Sequence, residues 1–164
     1  MIKLLLLDVD GTLTDGQIIY SANGDELKNF SVRDGLAISS WIRLGNQVAI
    51  ITGRKSTIVE RRAKELGISL IFQGVKDKYS LLLGLCEDLE LGFDEIAAMG
   101  DDFNDIKMLK AVGRSFTPSD APQFIRESVD YVTQKQAGFG AAREVIEQLL
   151  ESNNQMDDFL KLWV

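Results

Sequence analysis

Residues 4–16 read Leu4-Leu5-Leu6-Leu7-Asp8-Val9-Asp10-Gly11-Thr12-Leu13-Thr14-Asp15-Gly16. The leucine run is typical of a strand buried on both faces of a parallel sheet. Because side chains at i and i+2 of an extended chain point the same way, we expect Asp8 and Asp10 to emerge side by side at its end. The carboxyl ends of parallel strands form a ligand crevice, and paired carboxylates favour Mg²⁺. The stretch therefore predicts a magnesium site at a sheet edge.

Outward from this stretch, short apolar runs alternate with helical segments. Further strands are predicted at residues 48–51, 69–72, 96–99, 114–116 and 131–132, and helices at 34–45, 56–66, 76–91, from Asp105 to about Ala111, 121–128 and 140–151. This alternation is typical of an α/β fold with a mainly parallel sheet between layers of helices. We expect one domain over residues 1–151 and a C-terminal tail over 152–164.

The segment after Gly16 predicts a small β-hairpin over about residues 17–32. Asn23-Gly24 lies between two strand-like runs, 17–20 and 26–32, and Asn-Gly is a strong signal for a tight hairpin turn.

Composition narrows the possible chemistry. The 164 residues carry a net charge of −7 and no basic run, which argues against nucleic acid or an anionic membrane as the main partner. The chain has no histidine, so Ser-His-Asp catalysis, Cys-His catalysis and histidine metal sites are excluded. Its single cysteine, Cys86, excludes disulfide scaffolds and cysteine zinc sites and is expected in the core. Any catalysis must use carboxylates, lysine, hydroxyls or a metal.

The apolar runs are all short. None reaches the length of a membrane helix, and the leucines before Asp8 are too few for a signal peptide. We therefore expect a cytoplasmic protein.

Chemically active side chains stand at strand ends and at one helix start. They are Asp8 and Asp10, Thr52, Lys78, and Asp101 with Asp102. Taken singly, each has a plainer explanation, since a strand-end aspartate often caps the next helix, Thr-Gly can form a turn, and a lone lysine usually lies in solvent. Their occurrence together, in order and at equivalent positions, favours one shared site at the edge of the sheet.

Four segments of the chain resemble, in order, the four motifs of the haloacid-dehalogenase-like superfamily. They are Asp8-Val9-Asp10-Gly11-Thr12, Thr52-Gly53, Lys78, and Gly100-Asp101-Asp102-Phe103-Asn104-Asp105. The resemblance implies a Rossmann-like three-layer αβα fold. It also implies a phosphatase activity, because the dehalogenases of the superfamily lack an aspartate at the position of Asp10.

The resemblance assigns roles in the reaction. Asp8 would be the nucleophile that forms an aspartyl-phosphate, and Asp10 would protonate the leaving alcohol and then activate water. Thr52 and Lys78 would bind the phosphoryl oxygens.

The resemblance also implies a Mg²⁺ site. Asp8, the backbone carbonyl of Asp10, and Asp101 would hold the ion, which shields charge so that a carboxylate can approach a phosphate. Asp102 and Asp105 would orient the motif lysine and the metal-bound waters rather than bind the metal.

No stretch is long enough for the cap domain that many members carry. Residues 11–33 hold only the predicted hairpin, and residues 54–78 are filled by one helix and one strand. An open site suits either a macromolecular substrate or closure by another subunit.

The hairpin and its surroundings resemble the 3-deoxy-D-manno-octulosonate (Kdo) 8-phosphate phosphatases over residues 1 to about 147. The matching segments include Thr14-Asp15-Gly16, 30–35, 51–54, 61–63, 66–68 and 138–144. These enzymes are tetramers in which neighbouring subunits, including their C-terminal tails, cover the sites. The resemblance implies a homotetramer here, and the apolar end of the tail could dock on its own subunit or on a neighbour.

The substrate implied is a sugar acid phosphate. Candidate ligands are Asp10, Ser31, Val32, Arg33, Asp34, Gly35, Arg54, Arg62 and Lys78. Arg54 has the best claim to the sugar carboxylate, because it follows the second motif directly and arginine offers paired donors. Ser31 and Thr12 depart from the residues usual in these enzymes.

Several functions stay open at this point. The leading hypothesis is a Mg²⁺-dependent phosphatase of Kdo 8-phosphate, with no nucleic-acid or membrane partner. A nonulosonate (sialic-acid-type) 9-phosphate is the alternative substrate, although some of those relatives have an acidic residue where this chain has Arg54. A broad phosphatase, a protein phosphatase, or a non-catalytic partner domain of a sugar-nucleotide synthetase are the other hypotheses.

Overall fold

A computed structural model describes all residues, 1–164. The strands are β1 (Leu4–Leu7), β2 (Ile19–Tyr20), β3 (Glu26–Leu27), β4 (Gln47–Ile51), β5 (Leu70–Phe72), β6 (Ile96–Met99), β7 (Arg114–Thr117) and β8 (Tyr131–Val132). The helices are α1 (Val32–Arg43), α2 (Thr57–Leu66), α3 (Lys78–Asp88), α4 (Ile106–Ala111), α5 (Gln123–Arg126), α6 (Ala141–Ser152) and α7 (Met156–Lys161). Short 3₁₀ turns cover Phe93–Glu95 and Phe103–Asp105.

Six of the strands form one parallel sheet with the order β5-β4-β1-β6-β7-β8. The opening leucine strand lies at its centre, where Leu7 pairs with Ile50 of β4 on one side and with Met99 of β6 on the other. The strand order reverses at β1, and such a switch point is where open α/β sheets place their ligands. The predicted α/β fold with a parallel sheet is confirmed.

The two faces of the sheet bury two separate cores. Leu5 and Leu7 of β1 pack with residues of α1, α2, α6 and α7. Leu4 and Leu6 point to the opposite face and pack with residues of α3, α4 and α5. This alternation along one strand gives the three layers, and it fixes β1 so that Asp8 follows at its carboxyl end.

The hairpin is shorter than the sequence predicts. Its two strands, β2 and β3, form a separate antiparallel pair of two residues each, with Ile19 opposite Leu27. The expected second strand over 26–32 is wrong beyond Leu27, because Ser31 caps α1 by accepting a hydrogen bond from the Asp34 N–H. Helix α1 therefore begins at Val32 rather than at residue 34.

The tail is partly helical, since residues 156–161 form α7. Phe159 is buried against the core on the α1 side, and the Arg43 guanidinium lies 5.3 Å from the Trp163 ring. The tail thus packs on its own chain, and the domain boundary at residue 151 stays a prediction. Cys86 is only partly buried, at the margin of the opposite core. None of the helices combines the length and apolar character that crossing a membrane requires.

Candidate active site

Most of the predicted catalytic residues line one polar cavity of about 170 Å³ at the carboxyl edge of β1, β4 and β6, and Lys78 lies buried beside it against Asp8. Its lining has no hydrophobic side chain and consists of Asp8, Asp10, Thr52, Gly53, Arg54, Asp101, Asp102 and Asn104. The strand register explains this meeting, since Leu7, Ile50 and Met99 lie level in the sheet and the residues after them emerge together.

Asp8 and Lys78 form a buried ion pair. Lys78 is the first residue of α3 and only 2% exposed, and its Nζ lies 3.0 Å from Asp8 Oδ1 and 2.5 Å from Asp105 Oδ1. Burial opposes protonation of Lys78, but the two carboxylates outweigh it and raise the pKa of the ammonium. Lys78 is therefore a fixed cation beside the predicted nucleophile.

Both carboxylate oxygens of Asp105 are occupied, and one of them binds Lys78. Its Oδ2 accepts hydrogen bonds from the backbone N–H groups of Asp101 (2.9 Å) and Asp102 (3.2 Å), while Oδ1 faces the lysine. The prediction that Asp105 orients Lys78 agrees with these contacts. The exposed side chain of Asp102 instead accepts a hydrogen bond from the Phe103 N–H, and no contact joins it to the lysine. A role for Asp102 with metal-bound waters stays a prediction.

Asp101 is held by the loop that follows β1. The Thr12 hydroxyl donates to Asp101 Oδ1 at 3.1 Å. Gly11 has a φ of +88°, and a Cβ atom there would overlap the Asp101 carboxylate. Glycine at this position thus allows the first and fourth motifs to touch. Thr12 differs from the residue that is usual in these enzymes, and its hydroxyl makes the hydrogen bond to Asp101.

Three carboxylates meet here, and two of them, Asp8 and Asp101, are placed to bind a cation. One oxygen from each of Asp8, Asp101 and Asp105 lies within 4.8 Å of the others. Burial, together with the charge of Asp105, raises the pKa of Asp8 to about 6 despite Lys78. Burial and the charges of Asp8 and Asp105 raise the pKa of Asp101 to about 8. Because one lysine does not neutralise three carboxylates, a hard divalent cation fits this cluster.

Asp10 and Arg54 belong to a second group of charges, whose other members, Lys28 and Glu26, have no role predicted from the sequence. Lys28 Nζ lies 2.5 Å from Asp10 Oδ1 and 3.2 Å from Glu26 Oε1. Arg54 donates to Glu26 at 3.1 Å and lies beside the Tyr20 hydroxyl at 3.5 Å. The available signal was the spacing of Glu26 and Lys28, which puts both on one face of an extended chain.

The remaining candidate substrate ligands do not line the cavity. Ser31 caps α1, and the buried Asp34 accepts a hydrogen bond from the Arg143 N–H. Arg62 packs over the Phe30 ring and donates to the Ser31 carbonyl. Within a single chain these side chains support the start of α1. Val32, Arg33 and Gly35 also lie outside the cavity, with Val32 and Arg33 exposed.

Known proteins resemble this chain over almost its whole length. The family model of haloacid dehalogenase-like hydrolases matches residues 70–145. The 3-deoxy-D-manno-octulosonate 8-phosphate phosphatase of Escherichia coli K12 is 42% identical over 96% of this chain and 84% of that protein. The chain belongs to this phosphatase family.

Solved structures of family members have the same fold. The Kdo 8-phosphate phosphatase from Moraxella catarrhalis, a complex with magnesium, phosphate and Kdo, has a TM-score of 0.96 and 44% identity over 99% of this chain and 94% of that one. The cobalt-bound family member from Haemophilus influenzae has a TM-score of 0.89 and 40% identity, covering 93% and 90%. The fold and the phosphatase class expected from the motifs are confirmed.

Proposed function

We propose that this protein is a Mg²⁺-dependent phosphomonoesterase that hydrolyses Kdo 8-phosphate to Kdo and phosphate. The observation that carries the proposal is the Asp8–Lys78 pair beside Asp101, in a chain 44% identical to a phosphatase crystallised with magnesium, phosphate and Kdo. Asp8, Asp101 and the Asp10 carbonyl would hold the Mg²⁺. When bound, the ion offsets negative charge on the carboxylates and on the phosphate.

The chain's own residues supply both halves of the reaction. A carboxylate oxygen of Asp8 attacks phosphorus, the bond from phosphorus to the sugar oxygen breaks, and Asp10 gives its proton to that oxygen. Asp10 then takes a proton from water, the water oxygen attacks the phosphorus of the aspartyl-phosphate, and phosphate leaves as Asp8 is regenerated. Two carboxylates on one strand end thus act as nucleophile and as acid and base.

Two further side chains are suited to the phosphoryl group. Lys78 is a buried cation 3.0 Å from Asp8, and Thr52 lines the polar cavity that Asp8 also lines. Both would hold phosphoryl oxygens, which carry negative charge throughout the reaction. Arg54, also on the cavity wall and 44% exposed at its side chain, is the candidate for the substrate carboxylate.

A homotetramer would complete the site. The hairpin leaves Ile18, Tyr20 and Leu27 between 44% and 62% exposed, and Val32 beside it is 82% exposed. Several exposed apolar side chains on one short hairpin suit an interaction surface. In such an assembly Ser31, Val32, Arg33, Asp34, Gly35 and Arg62 would act as substrate ligands by facing or supporting a neighbour's site. A cytoplasmic location stays a prediction.

Substrate preference tests the proposal. Purified protein is assayed for phosphate release from Kdo 8-phosphate, from nonulosonate 9-phosphates and from a panel of sugar phosphates and phosphopeptides, with Mg²⁺ or with a chelator. We expect Kdo 8-phosphate to have the highest kcat/KM and the chelator to abolish turnover. A higher kcat/KM for a nonulosonate 9-phosphate would identify that compound as the substrate instead. No phosphate release from any member of the panel would favour a non-catalytic role.

A further inference from the structure

Lys28 is a buried cation on an otherwise exposed hairpin. Its side chain is 1% exposed, whereas the neighbouring Leu27 is 49% exposed. A buried ammonium is costly unless carboxylates surround it. Here the compensating groups are Asp10, at 2.5 Å, and Glu26, at 3.2 Å. The position of Lys28 is therefore tied to the predicted acid and base of the reaction.

Four charges close into a ring, which we call the hairpin clamp: Asp10, Lys28, Glu26 and Arg54. Lys28 bridges Asp10 and Glu26, and Glu26 accepts a hydrogen bond from Arg54 Nη2 at 3.1 Å. Arg54 Nε returns to Asp10 Oδ2 at 3.6 Å. With Asp10 ionised, the state in which it accepts the proton from water, the clamp holds two cations and two anions, so its charges balance without a ligand. Each carboxylate oxygen of Asp10 thereby faces a different cation.

We propose that Lys28 is a positioning residue for catalysis, which holds Asp10 through Oδ1 and keeps Oδ2 toward the cavity and Arg54. Through Glu26 it also sets the direction of the Arg54 guanidinium. The inference rests on the proposed function, because it takes Asp10 as the proton donor and acceptor. The hairpin then has a second role besides the proposed subunit interface, which is to position the Asp10 side chain of its own subunit.

Asp10, the proposed acid and base, must reach two different atoms during the reaction. A carboxylate on a single rotatable side chain must reach first the leaving oxygen and then the attacking water. A misplacement of about 1 Å costs roughly 100-fold in rate. A buried lysine 2.5 Å from one oxygen restricts the Asp10 rotamer without occupying the other oxygen. Lys28 does not line the cavity and so is expected to influence kcat rather than KM.

The test is a double-mutant cycle between Lys28 and Asp10. Lys28→Met keeps the apolar stem and removes the charge, and Lys28→Arg restores a cation. Both are assayed with Kdo 8-phosphate and with p-nitrophenyl phosphate, alone and combined with Asp10→Asn. Lys64→Met is the matched control, because Lys64 also pairs with a carboxylate, Glu60, but on the exposed face of α2. Thermal unfolding of each variant confirms that it is folded.

We expect Lys28→Met to lower kcat by about 10- to 100-fold with KM within about twofold, and Lys28→Arg to recover at least part of the loss. In the Asp10→Asn background, Lys28→Met should cost nothing further, since residues that act as a unit are not additive. If Lys28→Met does not fold, Lys28→Gln, which keeps an N–H donor, takes its place in the cycle with the same expectations.

Equal losses in the two backgrounds, or a loss confined to KM, would overturn the positioning role. Turnover of p-nitrophenyl phosphate without preference for Kdo 8-phosphate would count against the proposed substrate, while the cycle would still decide the role of Lys28. Wild-type protein that hydrolyses neither ester would overturn both.

Discussion

Lys78 Nζ lies 3.0 Å from Asp8 Oδ1, and both side chains are buried, with 1% and 8% of their surfaces exposed. The pair joins the end of the central strand to the start of α3 across the carboxyl edge of the sheet. It places a permanent positive charge beside the carboxylate that is proposed to attack phosphorus.

Removing the cation should destabilise the protein. Lys78→Met leaves Asp8 and Asp105 buried with no positive partner, and breaking a buried pair in this way costs about 3–5 kcal/mol. Urea unfolding in the presence of a chelator measures the loss. The control is Lys64→Met, whose exposed pair with Glu60 should be worth no more than about 1 kcal/mol. A Lys78→Met protein as stable as the control would contradict a buried, charge-paired Lys78.

Metal-free protein should lose stability as the pH rises. Burial and nearby carboxylates raise the pKa of Asp101 from 3.8 to about 8, and that of Asp8 from 3.8 to about 6. The folded state therefore binds these protons more tightly than the unfolded chain does. The stabilising effect is complete below about pH 4 and disappears as the pH rises through 6 for Asp8 and 8 for Asp101.

Mg²⁺ should reverse this trend, because the ion binds the ionised carboxylates. Thermal unfolding between about pH 5 and 9, with Mg²⁺ or with a chelator at equal ionic strength, checks both effects. We expect the rise in Tm on adding Mg²⁺ to grow with pH, and Asp101→Asn to remove most of that growth. A rise in Tm that is the same at every pH would show that the cluster does not bind the metal as described.

The exposed hairpin residues should hold the proposed tetramer together. Ile18→Asp introduces a charge at a position that is 44% exposed, and a charge in an apolar interface is costly. Light scattering coupled to size exclusion should show a protein of four 18.2-kDa chains for the wild type and smaller species for the variant. Leu83→Asp on α3, also 44% exposed, is the matched control and should leave the mass unchanged. A wild-type monomer, or a loss of mass in the control alone, would contradict a hairpin interface.

The sequence predicts the parts of this site that lie next to regular elements. Asp8, Thr52 and Asp101 could be placed because each follows a buried strand, and parallel strands end at one edge. The sequence predicts the start of α1 two residues too late, because the run from Glu26 to Val32 has strand-like composition, while the Ser31 cap that interrupts it is a local hydrogen bond.

Contacts between distant segments could not be predicted in the same way. Lys28 reaches Asp10 only because the hairpin folds back over the end of β1, and nothing in the local sequence gives the direction of that turn. Asp102 and Asp105 differ for a similar reason. Both are acidic residues of one motif, but only Asp105 lies on the buried side of its 3₁₀ turn and meets Lys78.

Phosphate release by Asp8→Asn tests the central claim most directly. The substitution keeps the size of the side chain but removes the nucleophilic oxygen charge, and Asp88→Asn at the exposed end of α3 is the matched control. With Kdo 8-phosphate and Mg²⁺, we predict that Asp8→Asn loses at least about 1,000-fold in kcat while its thermal unfolding stays cooperative, and that the control keeps wild-type activity. Turnover by Asp8→Asn near the wild-type rate would contradict Asp8 as the nucleophile.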